Sequence, residues 1–254
     1  MGKNEQNQML GIDVGATGIK GAIINLHTGQ LVTDRIRFDT PKPATPEAVA
    51  RVIKEIAKEA GWPAGAPIGC GFPSVVVRGK TLSAANIDQA WLNLKAQKFL
   101  STHTGHPVIL VNDADAAGIA ALRFGHVKNQ TGTVVLLTIG TGIGSALFVD
   151  GKLVPNTEFG HMPYKRSIVE DYVSNRARKD RKLSMPEWAK QLNVYLKHID
   201  RMLTPDLIVL GGGISKRFAT YEKYLNPGTP VVPAKLLNNA GLIGAALHAQ
   251  SVLT

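Results

Sequence analysis

The sequence has a single cysteine, Cys70, among its 254 residues. One thiol can form no internal disulfide and cannot supply a multi-cysteine zinc site, so a disulfide-stabilised secreted domain and a cysteine-rich zinc module are excluded. No apolar run approaches the ~20 residues that cross a bilayer. The polar residues 1–8 have no hydrophobic stretch of the kind that a signal peptide needs. These absences predict a protein of the reducing cytoplasm without a membrane partner.

Acidic residues are scarce: 19 Asp and Glu are present against 29 Lys and Arg, and the formal net charge is +10. A basic excess favours an anionic partner, but nucleic acid, an anionic membrane surface and a polyanionic substrate would each satisfy it. Charge that serves only solubility is equally compatible with this composition. Net charge can therefore discriminate only between functions that other features suggest.

Hydrophobic periodicity and turn residues predict an α/β protein. In the first half, the predicted elements are strands over 9–15, 19–25 and 31–38, a helix from Pro46 to Gly61, a strand over 68–72, a helix over 91–103, a strand over 108–111 and a helix from Asp113. In the second half, they are strands over 133–139 and 145–149, helices over 168–178 and 185–203, a strand over 207–210 and a helix over 241–248.

An internal repeat relates the two halves of the chain. Residues 17–24 align with residues 141–148, and a turn glycine followed by Leu-Val comes after each segment, at Gly29 and Gly151. The repeat predicts two similarly built lobes with a ligand-binding cleft between them. The predicted lobes are residues 1–112, completed by the C-terminal helix 241–254, and residues 113–240.

Three glycine-rich turns are candidates for binding phosphate, because glycine lets backbone N–H groups approach an anion and threonine adds a hydroxyl donor. Their residues are Gly15, Ala16, Thr17, Gly18 and the following Lys20; Gly140, Thr141, Gly142 and Gly144; and Gly211, Gly212 and Gly213. Asp13, at the end of the first strand, is suited to hold Mg²⁺ directly or through water. Taken singly, each turn is equally compatible with a plain hairpin or a tight strand-to-helix connection.

Several polar residues are further candidates. Asn112 and Asp113 follow a buried strand, where α/β sheets place ligands, although Asp113 is equally suited to cap the next helix and Asp115 competes for any catalytic role. Glu158 and His161 have the spacing to bind two vicinal hydroxyls, or they are an exposed Glu and a satisfied core His.

Two isolated segments complete the candidates. Asn86 is a lone polar residue in a loop. Residues 74–81 resemble a phosphate-binding P-loop, but Ser74 stands where that motif has glycine and the β-branched residues favour a strand. The P-loop interpretation is therefore rejected.

The order of these motifs resembles the ROK-family sugar kinases over about residues 9–249. The motifs are Asp13-x-Gly15-x-Thr17, Asn112-Asp113, Gly140-Thr-Gly-x-Gly144, Glu158-x-Gly-His161 and Gly211-Gly-Gly213. The resemblance implies the two-lobed α/β fold of actin-like ATPases and sugar kinases, with ribonuclease H-like halves and a central cleft. Residues 71–76 (GFPSVV), residues 112–118 (NDADAAG) and the short chain are most similar to the polyphosphate-using branch, the polyphosphate glucokinases and glucomannokinases.

The same resemblance implies roles for the site residues. Asp113 would be the general base, and the sugar would be bound by Ser74, Asn86, Asn112, Asp113, Glu158 and His161. The three glycine-rich turns would bind the phosphoryl donor, with Mg²⁺ near Asp13. Many ROK proteins carry a zinc-binding cysteine cluster after the Glu-x-Gly-His motif; this chain does not, so no zinc is expected and His161 is left for the sugar.

The implied substrates are glucose, with mannose as a second acceptor, and inorganic polyphosphate, with ATP as a second donor. A homodimer is expected because relatives commonly form one. Residues 165–190 contain eight Lys or Arg and four Asp or Glu. This basic segment, extended by Lys216 and Arg217, favours polyphosphate, although a solvated helix face would have the same composition.

Three alternatives remain at this point. The first two are an ATP-only glucokinase and an N-acylhexosamine kinase of the same family. The third is a sugar-responsive ROK regulator, which would carry a DNA-binding helix-turn-helix before the first strand. About eight residues precede that strand here, so the regulator is disfavoured and no specific nucleic-acid partner is expected.

Overall fold

Two five-stranded sheets organise the chain, one in each of two units. The computed structural model describes residues 7–85, 87–125, 128, 130–234 and 239–254. Unit 1 is Met1–Ala120 with Asn239–Thr254, and unit 2 is Ala121–Asn238. The division falls within a helix that the sequence assigned to the second lobe, and the lobes as functional domains stay a prediction.

The helices and strands follow one another in the expected α/β order. The first are β1 (Gln8–Val14), β2 (Gly18–Asn25), β3 (Ile36–Asp39), α1 (Pro46–Glu59), β4 (Ile68–Phe72), β5 (Val76–Val77), β6 (Lys80–Thr81), a 3₁₀ helix (Gln89–Trp91), α2 (Ala96–Thr104), β7 (Val108–Asn112) and α3 (Asp113–Phe124). The next are β8 (Thr133–Ile139), β9 (Ile143–Val149), β10 (Lys152–Val154), a 3₁₀ helix (Phe159–His161), β11 (Pro163–Tyr164), β12 (Ser167–Ile168), α4 (Glu170–Val173), α5 (Asn175–Asp180) and α6 (Met185–Leu203). The last are β13 (Leu207–Gly211), two 3₁₀ helices (Gly213–Thr220 and Glu222–Tyr224), β14 (Val231–Pro233) and α7 (Ala240–Leu253). No helix within the described ranges has the length and hydropathy needed to cross a membrane.

The sequence repeat corresponds to a repeated topology. The strand order is β3-β2-β1-β4-β7 in unit 1 and β10-β9-β8-β13-β14 in unit 2. In each sheet, the first two pairings are antiparallel and the last two are parallel. Each glycine-rich hairpin turn therefore joins the central strand of its sheet to the adjacent antiparallel strand.

Each sheet is buried against amphipathic helices. In unit 1, α1 begins where the Thr45 side chain accepts the Ala48 N–H, and its apolar stripe, including Ile53 and Ile56, is fully buried in the core. In unit 2, the long helix α6 begins with a capping box formed by Ser184 and Glu187. These packed helices hold the two hairpin turns on rigid supports.

Two predicted helices are interrupted, the first by hydrogen bonds to a strand and the second by a local helix cap. Over 91–103, the carbonyls of Trp91 and Leu94 accept hydrogen bonds from Thr81 of β6, so they cannot continue a helix, and α2 starts only at Ala96. Over 168–178, Ser174 is extended (φ −62°, ψ 160°) and caps α5, which separates α4 from α5.

Three other predicted elements differ in extent or type. The third strand covers only Ile36–Asp39, because Leu31 makes just an isolated bridge to Ile24. The segment after Gly212 is a 3₁₀ helix, and the closing helix extends to Leu253.

Candidate active site

The first glycine-rich turn, loop 1 (residues 15–18), is held by hydrogen bonds from two directions. The Gly15 N–H donates to the carbonyl at the other end of the loop, 3.1 Å away. The Thr40 hydroxyl donates to the Gly15 carbonyl (2.6 Å), and the Arg37 guanidinium donates to the Thr17 carbonyl (3.1 Å). Neither Thr40 nor Arg37 was predicted from the sequence, because their partners are backbone atoms more than 19 residues away.

Asp13 and Lys20 lie opposite each other on β1 and β2 next to loop 1. Their Oδ2 and Nζ atoms are 3.4 Å apart. The first turn of α7 lies against the same carboxylate, since a Cβ at Gly241 would come 3.0 Å from Asp13 Cγ.

This environment fits a divalent cation held in the manner usual for Mg²⁺. Such an ion commonly takes one or two protein carboxylates and completes its coordination with water and substrate phosphate oxygens. Asp13 supplies one half-buried carboxylate beside loop 1. A cluster of three or more His, Cys, Asp or Glu, as an all-protein site would need, is absent from the described part of the chain.

Asn112 and Ser74 are brought together at the carboxyl end of the unit 1 sheet. The Asn112 amide donates to the Ser74 carbonyl (3.1 Å), and its oxygen accepts the N–H groups of Ala114 (2.8 Å) and Asp115 (3.1 Å). The Ser74 hydroxyl donates to the Ser83 carbonyl (2.7 Å). Both side chains are buried; that of Asn112 orders the backbone at the start of α3, and that of Ser74 fixes its own loop.

Asp113 and Asp115 differ in their access to a substrate. Asp113 is the first residue of α3 and is half-buried, with its Oδ1 accepting the Ala114 N–H (2.8 Å). Asp115 is only 1% exposed. Of the two carboxylates, Asp113 is therefore the one that a substrate hydroxyl can approach. Asn86 lies outside the described residues.

The second glycine-rich turn, loop 2 (residues 140–142), is held by the two short helices of unit 2. The Arg176 N–H, in α5, donates to the Gly140 carbonyl (3.2 Å). The carboxylate of Glu170, in α4, accepts the Ile143 N–H at the end of the loop (2.9 Å). Glu170 is buried and packs closely against the loop: a Cβ at Gly142 would lie 2.5 Å from Glu170 Oε2, so a larger residue there would displace this carboxylate.

The two loops have different lengths although they occupy the same place in the topology. In unit 1, the last strand pair before the turn is Val14 opposite Ile19, which leaves four residues in the turn. In unit 2, that pair is Ile139 opposite Ile143, which leaves three. Gly144, one of the predicted phosphate-binding residues, therefore lies in β9 rather than in the turn.

Glu158 and His161 are brought together, and Glu170 joins them. His161 Nδ1 is 3.3 Å from Glu158 Oε2, and its Nε2 is 3.9 Å from Glu170 Oε1. Burial raises the pKa of the Glu158 carboxyl, His161 partly offsets this rise, and Glu170 adds to it. The cluster thus connects the predicted sugar motif to loop 2 through Glu170.

Glu170 was not predicted as a site residue. In the sequence it is one acidic residue in a basic segment, 12 positions after Glu158 and without a motif of its own. Its burial and its contact with loop 2 arise only because α4 packs against the second hairpin.

The glycine triplet has three different environments. Gly211 ends β13, and Gly212 has a φ of +77° with a Cβ position only 2.8 Å from the Ile139 backbone nitrogen, so it must be glycine. Gly213 has open space around it. The Ser215 hydroxyl donates back to the Gly212 carbonyl (2.7 Å) and fixes the turn.

Some of the eight basic side chains in residues 165–190 hydrogen-bond to groups of the protein itself. Arg178 donates to the Asn175 side chain and to the Leu183 carbonyl. Arg181 donates to the Tyr172 carbonyl and to the side chain of Gln191. A role of this segment in binding polyphosphate stays a prediction.

The repeated sheets, each with a glycine-rich hairpin between its central strand and the adjacent antiparallel strand, define the fold class of the actin-like ATPases and sugar kinases. The model of the ROK family matches residues 9–177. The chain belongs to the ROK family. The fold class predicted from the sequence is thereby confirmed.

Two curated relatives and one crystal structure give the closer similarities. The polyphosphate glucokinase of Mycobacterium tuberculosis (strain CDC 1551 / Oshkosh) is 45% identical over 97% of this chain and 92% of its own length. That of Mycobacterium leprae is 42% identical over 100% of this chain and 78% of its own. The inorganic polyphosphate/ATP-glucomannokinase of Arthrobacter sp. strain KM matches with a TM-score of 0.92 and 43% identity, covering 96% of this chain and 99% of the other.

Proposed function

We propose that this chain is a polyphosphate- and ATP-dependent glucokinase that transfers the terminal phosphoryl group to the 6-hydroxyl of glucose. The observation that carries the proposal is the 45% identity to a polyphosphate glucokinase across 97% of the chain. The side chains support it, because a carboxylate that a substrate can approach and two ordered glycine-rich loops are the groups that this transfer needs.

In the proposed reaction, Asp113 is the general base. Its carboxylate takes the proton of the sugar 6-hydroxyl as that oxygen forms a bond to the terminal phosphorus, while the bond from this phosphorus to the rest of the donor breaks. The Asn112 side chain orders the backbone around Asp113 and is itself held by the Ser74 carbonyl. Glu158 and His161 bind other sugar hydroxyls and thereby orient the 6-hydroxyl towards the donor.

Loop 1, loop 2 and the glycine triplet bind the donor phosphates in this proposal, and Lys20 adds a positive charge beside loop 1. The kinase relatives imply a divalent cation, which we propose is Mg²⁺ held by Asp13. When bound, the cation offsets negative charge on the phosphoryl oxygens. In loop 2, Gly140 has open space around it and admits close approach of an anion to the backbone.

The decisive test of the donor is glucose 6-phosphate formation by purified protein with Mg²⁺. One reaction contains nucleotide-free polyphosphate and another contains ATP. We expect product in both. Product with ATP alone would reduce the proposal to an ATP-dependent glucokinase, and no product in either reaction from folded protein would contradict it.

The same assay tests the proposed acceptors and the proposed metal. We expect mannose to be a second acceptor, and N-acylhexosamines to give no product. Replacing Mg²⁺ by excess chelator should abolish activity, and added Mg²⁺ should restore it.

We propose that the chain acts as a cytoplasmic homodimer, and light scattering after size-exclusion chromatography measures its mass directly.

Replacing the proposed base tests the mechanism. We expect Asp113→Asn to lower kcat by ~10²–10⁴-fold, because an amide cannot accept the proton of the attacking hydroxyl. Glucose binding, measured by calorimetry, should remain within a few-fold of wild type. Near-normal turnover of this variant would refute the assignment and transfer the role to Asp115, for which Asp115→Asn is the matched comparison.

A further inference from the structure

A row of charged side chains crosses three strands of unit 1 beside loop 1. Asp13 on β1 lies opposite Lys20 on β2, and Lys20 lies opposite Arg37 on β3. Residues directly opposite each other project from the same face of a sheet. Arg35 immediately precedes β3, and its contact with Asn239, at the start of α7, puts it on the same side of the sheet as Asp13.

The row runs from loop 1 to the edge of the sheet. The other face is buried, since Gly21 packs against Ile56 of α1. On the charged face, the first turn of α7 covers the β1 end through its contact with Asp13. Towards the edge strand β3 the row opens to solvent: the Arg37 side chain is 48% exposed. Lys20, Arg37 and Arg35, here called the cationic row, therefore lead away from loop 1 to an accessible surface.

The repeated topology does not itself require these charges. In unit 2, the strand pair that corresponds to Asp13 and Lys20 is Thr138 opposite Gly144, which carries no charge. The corresponding edge strand, β10, contains a single basic residue, Lys152. Because the same sheet forms without a charged row in unit 2, a purely structural explanation for the row in unit 1 is weak.

The two arginines retain donors for an anion. Arg37 uses one terminal nitrogen for Asp39 (2.9 Å) and the other for the Thr17 carbonyl (3.1 Å), and Arg35 makes one long contact to Asn239 (3.4 Å). A guanidinium group has five N–H donors, so several remain on each side chain. Exposed ion pairs of the Arg37–Asp39 kind contribute little and are readily replaced by a phosphate oxygen.

We propose that the cationic row binds the phosphate residues of a polyphosphate chain that extend beyond those held by loop 1. This inference rests on the proposed function, since it places the rest of a long donor next to a donor-binding loop. Polyphosphate carries a negative charge along its whole length, which matches successive cations at the end of loop 1. ATP has only three phosphates and would not extend along the row.

Binding of polyphosphate without glucose tests the row separately from catalysis. Calorimetry with a medium-chain polyphosphate would compare wild type with Arg37→Gln and Arg35→Gln. The control is Arg51→Gln, an exposed arginine on α1. We expect about tenfold weaker binding for each row variant, the effect of losing one charge-assisted contact, and no change for the control. The KM for ATP should change by less than the polyphosphate affinity.

Arg35→Gln separates binding from a structural effect, because Arg35 does not contact loop 1 whereas Arg37 does. Unchanged polyphosphate affinity in both Arg35→Gln and Arg37→Gln would contradict the proposal that the cationic row binds polyphosphate. An equal loss of polyphosphate affinity in Arg51→Gln would contradict it as well. A parallel loss of polyphosphate and ATP affinity in Arg37→Gln, with none in Arg35→Gln, would also overturn it. If wild type forms no product from polyphosphate, the proposal that polyphosphate is a donor is wrong. The comparison of binding affinities still shows whether the cationic row binds polyphosphate.

Discussion

Buried carboxylates near loop 2 illustrate how single residues set the properties of the site. Glu170 accepts a backbone N–H of the second hairpin, while Glu158 shares His161 with it. Burial raises the pKa of the Glu158 carboxyl, His161 partly offsets this rise, and Glu170 adds to it, so the ionised form of Glu158 is less favourable. A protonated Glu158 can donate a hydrogen bond to a sugar oxygen, and an ionised one can only accept.

The raised pKa of Glu158 makes a prediction about stability. Above the ordinary Glu value of 4.5, the native protein keeps a proton that the unfolded chain has lost. Unfolding in that range releases the proton, so the free energy of unfolding falls as the pH rises through the native pKa. We expect the stability of wild type relative to Glu158→Gln to decrease as the pH rises above 4.5, as measured by urea unfolding.

Glu187 provides the matched control. Hydrogen bonds from Ser184 hold the pKa of the Glu187 carboxyl below its ordinary value, so its contribution is lost only on acidification. The difference between wild type and Glu187→Gln should therefore stay constant over the same pH range. A constant difference for Glu158→Gln as well would contradict the raised pKa.

At the scale of elements, α3 depends on close packing with α7. Gly244 of α7 lies against the backbone of Ala116 in α3, and a Cβ there would overlap the Ala116 carbonyl. The same helix packs directly on the central strands, with Gly11 of β1 against the Leu242 backbone. Because α3 starts with Asp113, the position of the proposed base depends on the glycine that lets the two helices approach.

Gly244→Ala tests this dependence. We expect a loss of about 1–3 kcal/mol in stability from overpacking, although alanine is the better helix former. Displacement of α3 should also lower kcat with both donors. Gln250→Ala, on the same helix, should leave both quantities close to wild type. A Gly244→Ala variant as stable and as active as wild type would show that α3 and α7 adjust without cost.

At the scale of the whole molecule, the net charge of +10 adds a long-range attraction for anionic donors. This attraction acts through solvent and is screened over about 10 Å at 0.1 M salt. Contacts with uncharged glucose do not depend on it. Ionic strength therefore separates the contribution of overall charge from that of the site.

We expect the KM for polyphosphate to rise several-fold when NaCl increases from about 0.05 to about 0.5 M, because screening weakens attraction along the whole polyanion. The KM for ATP should rise less, since fewer phosphates interact, and the KM for glucose should stay constant. A salt-independent KM for polyphosphate, measured at saturating glucose, would contradict an electrostatic contribution to donor binding.

Local sequence signals predicted most of the fold. Alternating and continuous apolar runs located the central strands, Thr45 and Pro46 located the start of α1, and the repeat anticipated the matching order of the two sheets. One error occurred where a residue of another element competes for backbone hydrogen bonds, as Thr81 does at Trp91. The secondary-structure propensity of a segment does not depend on a hydrogen-bond partner in another element, so it cannot predict this contact.

The features of the candidate site also fall into two groups, those visible in the sequence and those that only the tertiary structure shows. The sequence by itself determined the glycine-rich loops, the Asn112-Asp113 pair and the Glu158–His161 spacing, because each depends on residues close together in the chain. Only the tertiary structure decided that Glu170 supports loop 2 and that Lys20 and Arg37 form one row. Strand register and helix packing create these contacts, and neither is visible as a local pattern.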